Sequence, residues 1–237
     1  MEAIILAGGF GTRLQPFVKD VPKPMANINS KPFLSYLMEY LSRQGIKKIL
    51  LSVGYKHEVI KNHFGIRYKN MDIEYVIENK SLGTGGAVRE ALKHVQGNEA
   101  IVLNGDSFFN VNLGELIDFH RTHDSMLTIA VKPMNNIDRY GTVILEDTRV
   151  AGFNEKSSSS KDFGYINGGV YVIKKAVLEC LRNNNNVFSF EIDFLQKSIN
   201  NIAISAFISD GYFIDIGIPE DYEKAQQELK SVSGEVL

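Results

Sequence analysis

Cysteine is almost missing: Cys180 stands alone among 237 residues, so no disulfide can form within the chain. That usage fits a reducing compartment. No apolar run approaches the length that a bilayer requires, and no signal-like apolar segment precedes the first strand, so a cytoplasmic protein is expected. Charge of one sign is also lacking. A formal net charge of −2 gives no general attraction to nucleic acid or to anionic membranes. The five histidines, His57, His63, His94, His120 and His123, are scattered over helical stretches without the paired spacing of a metal site. Cys180 has no matching His or Asp motif, which argues against a thiol nucleophile. No internal repeat is visible. No linker-like stretch divides the chain, and 44% hydrophobic with 23% charged residues suits one soluble domain over residues 1–237.

What the chain does have is a short apolar run, Ile4-Ile5-Leu6, that breaks into Gly8, Gly9 and Gly11, followed by Thr12 and Arg13. The run has the length and β-branched content of a buried strand. The glycines let the backbone turn sharply and bring N–H groups close to a ligand, and such a nest of amides attracts anions. Arg13 adds a planar, permanently charged fork suited to phosphate oxygens. The loop therefore reads as a phosphate cradle, although the residues alone also allow a Gly-rich turn with an exposed Arg. No Gly-Lys-Ser/Thr follows as in a Walker loop, and Leu14 stands where a dinucleotide fingerprint needs its third glycine. Pro16, Pro22 and Pro24 instead favour an extended, stiff segment, which holds Lys23 just after the cradle.

Hydrophobic periodicity predicts strands over Lys48–Val53, Ile73–Ile77 and Ala100–Asn104. Helices are predicted over Phe33–Gln44, Lys56–His63, Thr84–Val95 and Leu113–His123. This βαβα rhythm implies an α/β fold with a mostly parallel central sheet flanked by helices. Ligands in such sheets gather beyond the carboxyl ends of the strands. The cradle and the segment Asn104-Gly105-Asp106 both fall at strand ends, so one site can use both. The second half differs. Met126–Lys132, Thr142–Leu145 and Val150–Asn154 are short strands with tight connections, which predicts a smaller antiparallel part. Val170–Ile173 and Ala203–Phe207 add strands, and Phe190–Ile199 and Pro219–Leu229 add helices. Ser157–Ser160 and Asn183–Asn186 carry no apolar anchor and read as mobile loops.

Two acids and one glycine-rich run stand out. Asp106 follows a predicted strand, where it could equally be a turn residue beside Gly105. Asp215 is flanked by Phe213, Ile214 and Ile216, a setting in which a carboxylate is costly without a partner. Two carboxylates plus substrate phosphates are a usual way to hold Mg²⁺. In Glu78-Asn-Lys-Ser-Leu-Gly-Thr-Gly-Gly-Ala87, Thr84 can cap a helix, whereas Gly83, Gly85 and Gly86 leave room for a flat base against the backbone.

Leu6-Ala7-Gly8-Gly9-Phe10-Gly11-Thr12-Arg13-Leu14, followed by Pro22-Lys23-Pro24, resembles the signature of the sugar-1-phosphate nucleotidyltransferases, and further matches run to about Tyr222. Within that family the likeness is greatest to the guanylyltransferases acting on D-glycero-D-manno-heptose 1-phosphate, then to those acting on mannose 1-phosphate. The resemblance implies a Rossmann-like nucleotidyltransferase fold and the condensation of a nucleoside triphosphate with a sugar 1-phosphate, releasing pyrophosphate. It implies that Arg13 and Lys23 are catalytic. It implies a nucleotide pocket of Leu6, Ala7, Gly8, Gly9, Gly11, Thr12, Glu78, Gly83, Thr84, Asn104 and Gly105. Glu78 matches the place of a base-reading side chain, and a carboxylate suits the N1–H and N2–H₂ donors of guanine. Asp106 and Asp215 match the family's two Mg²⁺-binding aspartates. Gly141, Glu155, Lys156 and Asn167 match its sugar-phosphate site, with Lys156 on the phosphate and Glu155 on sugar hydroxyls. Without the resemblance, Glu155-Lys156 is an exposed charge pair at a strand end.

Three functions follow as expectations. The first is transfer of GMP from GTP to D-glycero-D-manno-heptose 1-phosphate for a surface polysaccharide such as a capsule. The second is the same chemistry with mannose 1-phosphate, or with UTP. The third, a non-catalytic subunit that binds nucleotide sugars, is disfavoured by the presence of Lys23, Asp106 and Asp215. The expected partners are GTP and a sugar 1-phosphate, with neither nucleic acid nor membrane. A homo-oligomer stays open, because no residue pattern decides it.

Overall fold

Alternate residues of the first strand, β1 (Glu2–Leu6), face opposite ways, and Ala3, Ile4 and Ile5 are all fully buried. A strand covered on both faces has no need of polar alternation, which is why this segment is an unbroken apolar run. In the computed structural model, which describes residues 1–9, 21–137, 139–154, 163–182 and 185–234, β1 lies inside a ten-stranded sheet. After it come a 3₁₀ turn at Lys23–Met25, the strands β2 (Asn27–Ile28) and β3 (Lys31–Pro32), and helix α1 (Phe33–Arg43). Next are β4 (Lys48–Val53), α2 (His57–Phe64), β5 (Arg67–Tyr68), β6 (Met71–Ile77), α3 (Gly83–His94) and β7 (Glu99–Asn104). The second half begins with β8 (Ser107–Phe109), α4 (Leu113–Thr122), β9 (Leu127–Asn135), β10 (Thr142–Glu146) and β11 (Arg149–Asn154). It continues with β12 (Phe163–Lys174), α5 (Val177–Leu181), a π-helical segment (Phe190–Leu195) and α6 (Gln196–Ser198). β13 (Ile204–Ile208), β14 (Phe213–Asp215) and α7 (Pro219–Gly234) follow.

The order across the sheet is β10-β11-β13-β9-β12-β7-β1-β4-β6-β5, and β10 also pairs with β12. β7, β1, β4 and β6 are parallel, as the βαβα rhythm predicts. β10 and β11 form the predicted antiparallel hairpin. However, the antiparallel strands continue the same sheet, because β12 pairs antiparallel with both β7 and β9. β13 lies parallel to β9, which its long intervening connection permits. The parallel description therefore holds for the N-terminal half, and the whole sheet is mixed.

Helices cover both faces. Phe33, Leu37 and Leu41 of α1 pack with Ile5, Ile49, Leu51 and Ile101, while Val88 and Leu92 of α3 pack with Ile4, Leu50 and Val102. Each such buried side chain contributes about 1.5–3 kcal/mol of transfer free energy. Among the described residues, no helix is long and apolar enough to cross a membrane.

Three departures from the sequence reading bear on the site. β12 starts at Phe163 rather than Val170, because Phe163–Asn167 already pair with β9 and Asn167-Gly168-Gly169 forms a β-bulge inside the strand. Gly169 there has φ +69°, and a Cβ on Gly168 would lie 2.2 Å from the Phe109 ring, so these glycines serve the bulge and its packing. The helix predicted from Phe190 begins as a π-turn. Ser189 Oγ accepts from Ile192 N (3.2 Å) while Asp193 Oδ2 accepts from Ser189 N (2.9 Å), and this reciprocal cap reaches one residue farther than the usual capping box. Finally, Asn185 and Asn186 are held, since their carbonyls accept from Arg89 Nη1 (3.2 Å) and Nη2 (3.5 Å). Ser157–Ser160, and Asn183 and Asn184 of the second predicted loop, lie outside the described residues.

Candidate active site

β1 and β7 run side by side with Leu6 opposite Asn104, so their carboxyl ends form one rim. Ala7 N donates to Ser52 O (2.7 Å) and Gly105 N donates to Leu6 O (3.0 Å), which draws the two loops together. The small ladder of β8 with β14 sets Ser107 opposite Asp215, and Ile216 N donates to Asp106 O (3.0 Å). Asp106 and Asp215, distant in sequence, are thereby neighbours. The 3₁₀ turn aims Lys23 at both: its Nζ is 2.6 Å from Asp106 Oδ2 and 3.7 Å from Asp215 Oδ1.

The charges are unequal in their surroundings. Lys23 is only 12% exposed, whereas Asp106 and Asp215 keep 43% and 38% of their side-chain surface open. Protein atoms nonetheless crowd the Asp215 carboxyl. This burial, together with the charge of Asp106, pushes its pKa up to about 6, against the opposing pull of Lys23 and of Gly217 N, which donates to Oδ1 (2.7 Å). Two carboxylates that repel each other across a shared cation form a site that favours more positive charge.

Two cavities meet at this point. One, of about 480 Å³, is lined by Leu6, Gly8, Gly9, Lys23, Glu78, Gly83 and Thr84. The other, of about 450 Å³, is lined by Arg139, Tyr140, Gly141, Asn167, Ser189, Glu191 and Gln196. Asn104, Asp106 and Asp215 line both. The structure thus gathers the expected nucleotide residues around one cavity and Gly141 with Asn167 around the next. Ala7 and Gly105 are exceptions. Their amides are spent on Ser52 and Leu6, and both residues lie buried behind the wall. Gly11, Thr12, Arg13, Glu155 and Lys156 lie outside the described residues.

Glu78 is half-buried in the first cavity, with Oε1 accepting from Ser52 Oγ (3.0 Å) and Oε2 from Leu82 N (3.1 Å). Each oxygen keeps a lone pair for a further donor. Burial pushes this carboxyl above its ordinary range, and the two hydrogen bonds oppose the shift. The glycines after it differ from the sequence reading. A Cβ on Gly83, at φ +69°, would lie 2.5 Å from Phe188 O, and one on Gly85 would lie 2.2 Å from the Phe188 ring. The room taken as space for a base is filled by the chain's own segment at Phe188, although Gly83 still borders the cavity.

Arg139, Ser189, Glu191 and Gln196 were not picked out from the sequence. Only the Ser189/Asp193 cap could have marked this stretch. The acid pair suits a divalent cation: one ammonium already serves both carboxylates, and the Asn104 Oδ1 beside them is buried without a partner among the described residues. Mg²⁺ is commonly held by one or two carboxylates, with phosphate and water oxygens completing the shell. The described residues contain no cluster of three or more His, Cys, Asp or Glu, so the donor set matches that pattern rather than an all-protein cage.

Comparison with known proteins fits this geometry. The sequence pattern of the nucleotidyl transferase family matches residues 2–232. The chain is 50% identical to D-glycero-alpha-D-manno-heptose 1-phosphate guanylyltransferase of Aneurinibacillus thermoaerophilus, covering 97% of this chain and 99% of that one. It is 31% identical to mannose-1-phosphate guanylyltransferase of Mycobacterium tuberculosis over 97% of this chain and 64% of that one. The crystal structure of HddC from Yersinia pseudotuberculosis complexed with GMP-PN superposes with a TM-score of 0.85 at 40% identity, covering 96% of this chain and 99% of that one. The chain belongs to the nucleotidyl transferase family.

Proposed function

We infer that the protein transfers GMP from GTP to D-glycero-α-D-manno-heptose 1-phosphate, giving GDP-heptose and pyrophosphate. The observation that carries the chemistry is the meeting of two cavities at Asp106 and Asp215, with the Lys23 ammonium between them. The 50% identity to a heptose 1-phosphate guanylyltransferase over 97% of the chain supports the sugar and the base.

A phosphate oxygen of the sugar 1-phosphate forms a bond to the α-phosphorus of GTP as the bond from that phosphorus to the bridging oxygen of the β-phosphate breaks. Pyrophosphate leaves with the electron pair, and no protein nucleophile is required. The obstacle is the approach of two anions, so the protein acts by positioning and by charge. Lys23 holds a poorly solvated positive charge at the cavity junction, where the α-phosphorus gains its fifth oxygen. Arg13 would face the departing pyrophosphate. Glu78 accepts the N1–H and N2–H₂ donors of guanine, while uracil offers only one such donor. Gly141 and Asn167, with Glu155 and Lys156, would hold the sugar phosphate. Asp106 and Asp215 would bind Mg²⁺, which supplies Lewis-acid neutralisation of phosphate charge. The product would feed a surface polysaccharide, with synthesis in the cytoplasm.

Pyrophosphate release, measured with GTP, UTP and CTP against heptose, mannose and glucose 1-phosphates, tests this reading. GTP with heptose 1-phosphate should give the highest kcat/KM. A higher value with UTP or with mannose 1-phosphate would overturn the assignment of base or sugar.

A further inference from the structure

We propose that Glu191 is a positioning residue that couples occupancy of the nucleotide cavity to occupancy of the sugar cavity. The proposal rests on the guanylyltransferase reading and adds a device that links its two substrates. Glu191 lies at the start of the π-helical segment, a rare geometry that recurs at functional sites.

The strap from Asn185 to Leu195 lines the second cavity and is hydrogen-bonded to Thr84 in the wall of the first. On one side it is fastened to the start of α3: Phe188 N donates to Leu82 O (3.1 Å) and Gly85 N donates to Phe188 O (3.0 Å). On the other side Ser189 and Glu191 line the second cavity. Thr84, a wall residue of the first cavity, has its hydroxyl committed to this strap. It accepts from Phe190 N (2.8 Å) and donates to Glu191 Oε2 (2.9 Å), which also accepts from Ser189 Oγ (3.1 Å).

From Glu191 the chain of donors continues to the sugar side. Tyr171 is fully buried, and burial holds its phenol far above the ordinary range, so it keeps its proton. Its oxygen accepts from Asn167 Nδ2 (2.7 Å), which directs the phenolic proton to Glu191 Oε1 at 3.5 Å. The Asn167 amide is oriented in turn because its Oδ1 accepts from Gly169 N (3.0 Å). Thr84, Glu191, Tyr171 and Asn167 therefore form a line from one cavity to the other in which every donor direction is set. The Tyr171–Glu191 contact is its slack link, since 3.5 Å is at the limit of a hydrogen bond. A sugar hydroxyl that engages Asn167 or Glu191 draws on this link and so acts on Thr84. By linkage the effect is reciprocal: nucleotide on Thr84 must tighten the sugar phosphate by the same factor.

Titration calorimetry tests the coupling. The Kd of heptose 1-phosphate is measured with Mg²⁺, with and without saturating guanosine α,β-methylene triphosphate, whose α–β linkage cannot be displaced. In the unmodified protein the nucleotide should tighten the sugar phosphate by about tenfold, within the usual range of coupled sites. Thr84→Val, Tyr171→Phe and Glu191→Ala should each cut that factor to below about twofold, whereas Thr84→Ser, which keeps the hydroxyl, should retain it. Because the factor is a ratio of affinities, a variant that merely weakens one ligand leaves it unchanged. An undiminished factor in Thr84→Val and Tyr171→Phe would overturn the proposal. Failure of the unmodified protein to bind either ligand would instead overturn the guanylyltransferase reading.

Discussion

Lys23 Nζ lies 2.6 Å from Asp106 Oδ2, a contact that joins residues 83 positions apart at the junction of two cavities. The ammonium is well covered, so its field is stronger there than it would be in water. Lys23→Ala should lower turnover by about a hundred- to a thousandfold, the usual loss when one preorganised donor is removed. The partner carboxylate is partly open, so the ion pair contributes little to folding, and the melting temperature should change by only a few degrees. Steady-state kinetics alongside a thermal melt check both halves. Near-normal turnover would remove Lys23 from the mechanism.

The acid pair leads to a metal prediction. Chelation of divalent ions should stop pyrophosphate release, and added Mg²⁺ should restore it. Asp215→Asn should raise the Mg²⁺ concentration that gives half the maximal rate, because one of two charged ligands is lost. An unchanged Mg²⁺ dependence in that variant would place the metal elsewhere.

Glu78 gives the base preference a pH dependence. Burial pushes its carboxyl above the ordinary range, so it takes up a proton at higher pH than exposed acids do. The ionised form is the one that accepts two guanine donors. The KM for GTP should therefore rise as pH falls toward the acid side, while the KM for UTP moves less. Glu78→Gln should abolish this difference and narrow the preference for GTP over UTP by about 10- to 100-fold, the cost of one hydrogen bond to a charged group. A GTP preference that survives the substitution would exclude Glu78 as the base reader.

His120 makes stability fall in mild acid. The ring is fully buried, with Nδ1 2.8 Å from Thr128 Oγ1 and Nε2 without a partner among the described residues. Burial pushes its pKa down to about 4, with Glu99, Lys174, Arg121 and Asp124 adding smaller effects of both signs. The unfolded chain, with a histidine pKa of about 6.5, binds the proton first. The His120 contribution is thus complete above about pH 6.5 and is lost as pH falls through about 4, a change of up to about 3 kcal/mol. Urea unfolding at pH 7 and pH 4.5 should show the drop, and His120→Leu should reduce it. An equal drop in the variant would assign the acid sensitivity to other groups.

The legible parts of this protein were those fixed by local pattern. Lys48–Val53 and α1 follow from apolar runs and 3.6-residue spacing, and their bounds agree with prediction to within a residue. Gly8, Gly9 and Asp106 were expected near one another because they follow strands that end at one sheet rim, and all three border the first cavity. Less legible were features that depend on contacts distant in sequence. Gly83 and Gly85 looked like space for a ligand, yet Phe188, about a hundred positions later, fills it. The strand predicted from Val170 in fact begins at Phe163, because the bulge at Asn167-Gly168-Gly169 is recognised only once β9 is paired beside it. Glu191 and Arg139 carry no motif, and only the closure of β12 and the π-helical segment around the second cavity gives them a place.

The most direct measurement is mass spectrometry of the product formed by purified protein from GTP, Mg²⁺ and D-glycero-α-D-manno-heptose 1-phosphate, beside the variants Asp106→Asn and Asp215→Asn. At a Mg²⁺ concentration that just saturates the unmodified chain, the account predicts GDP-heptose with that chain and little or none with either variant. Equal product from the variants, or none from the unmodified chain, would contradict it.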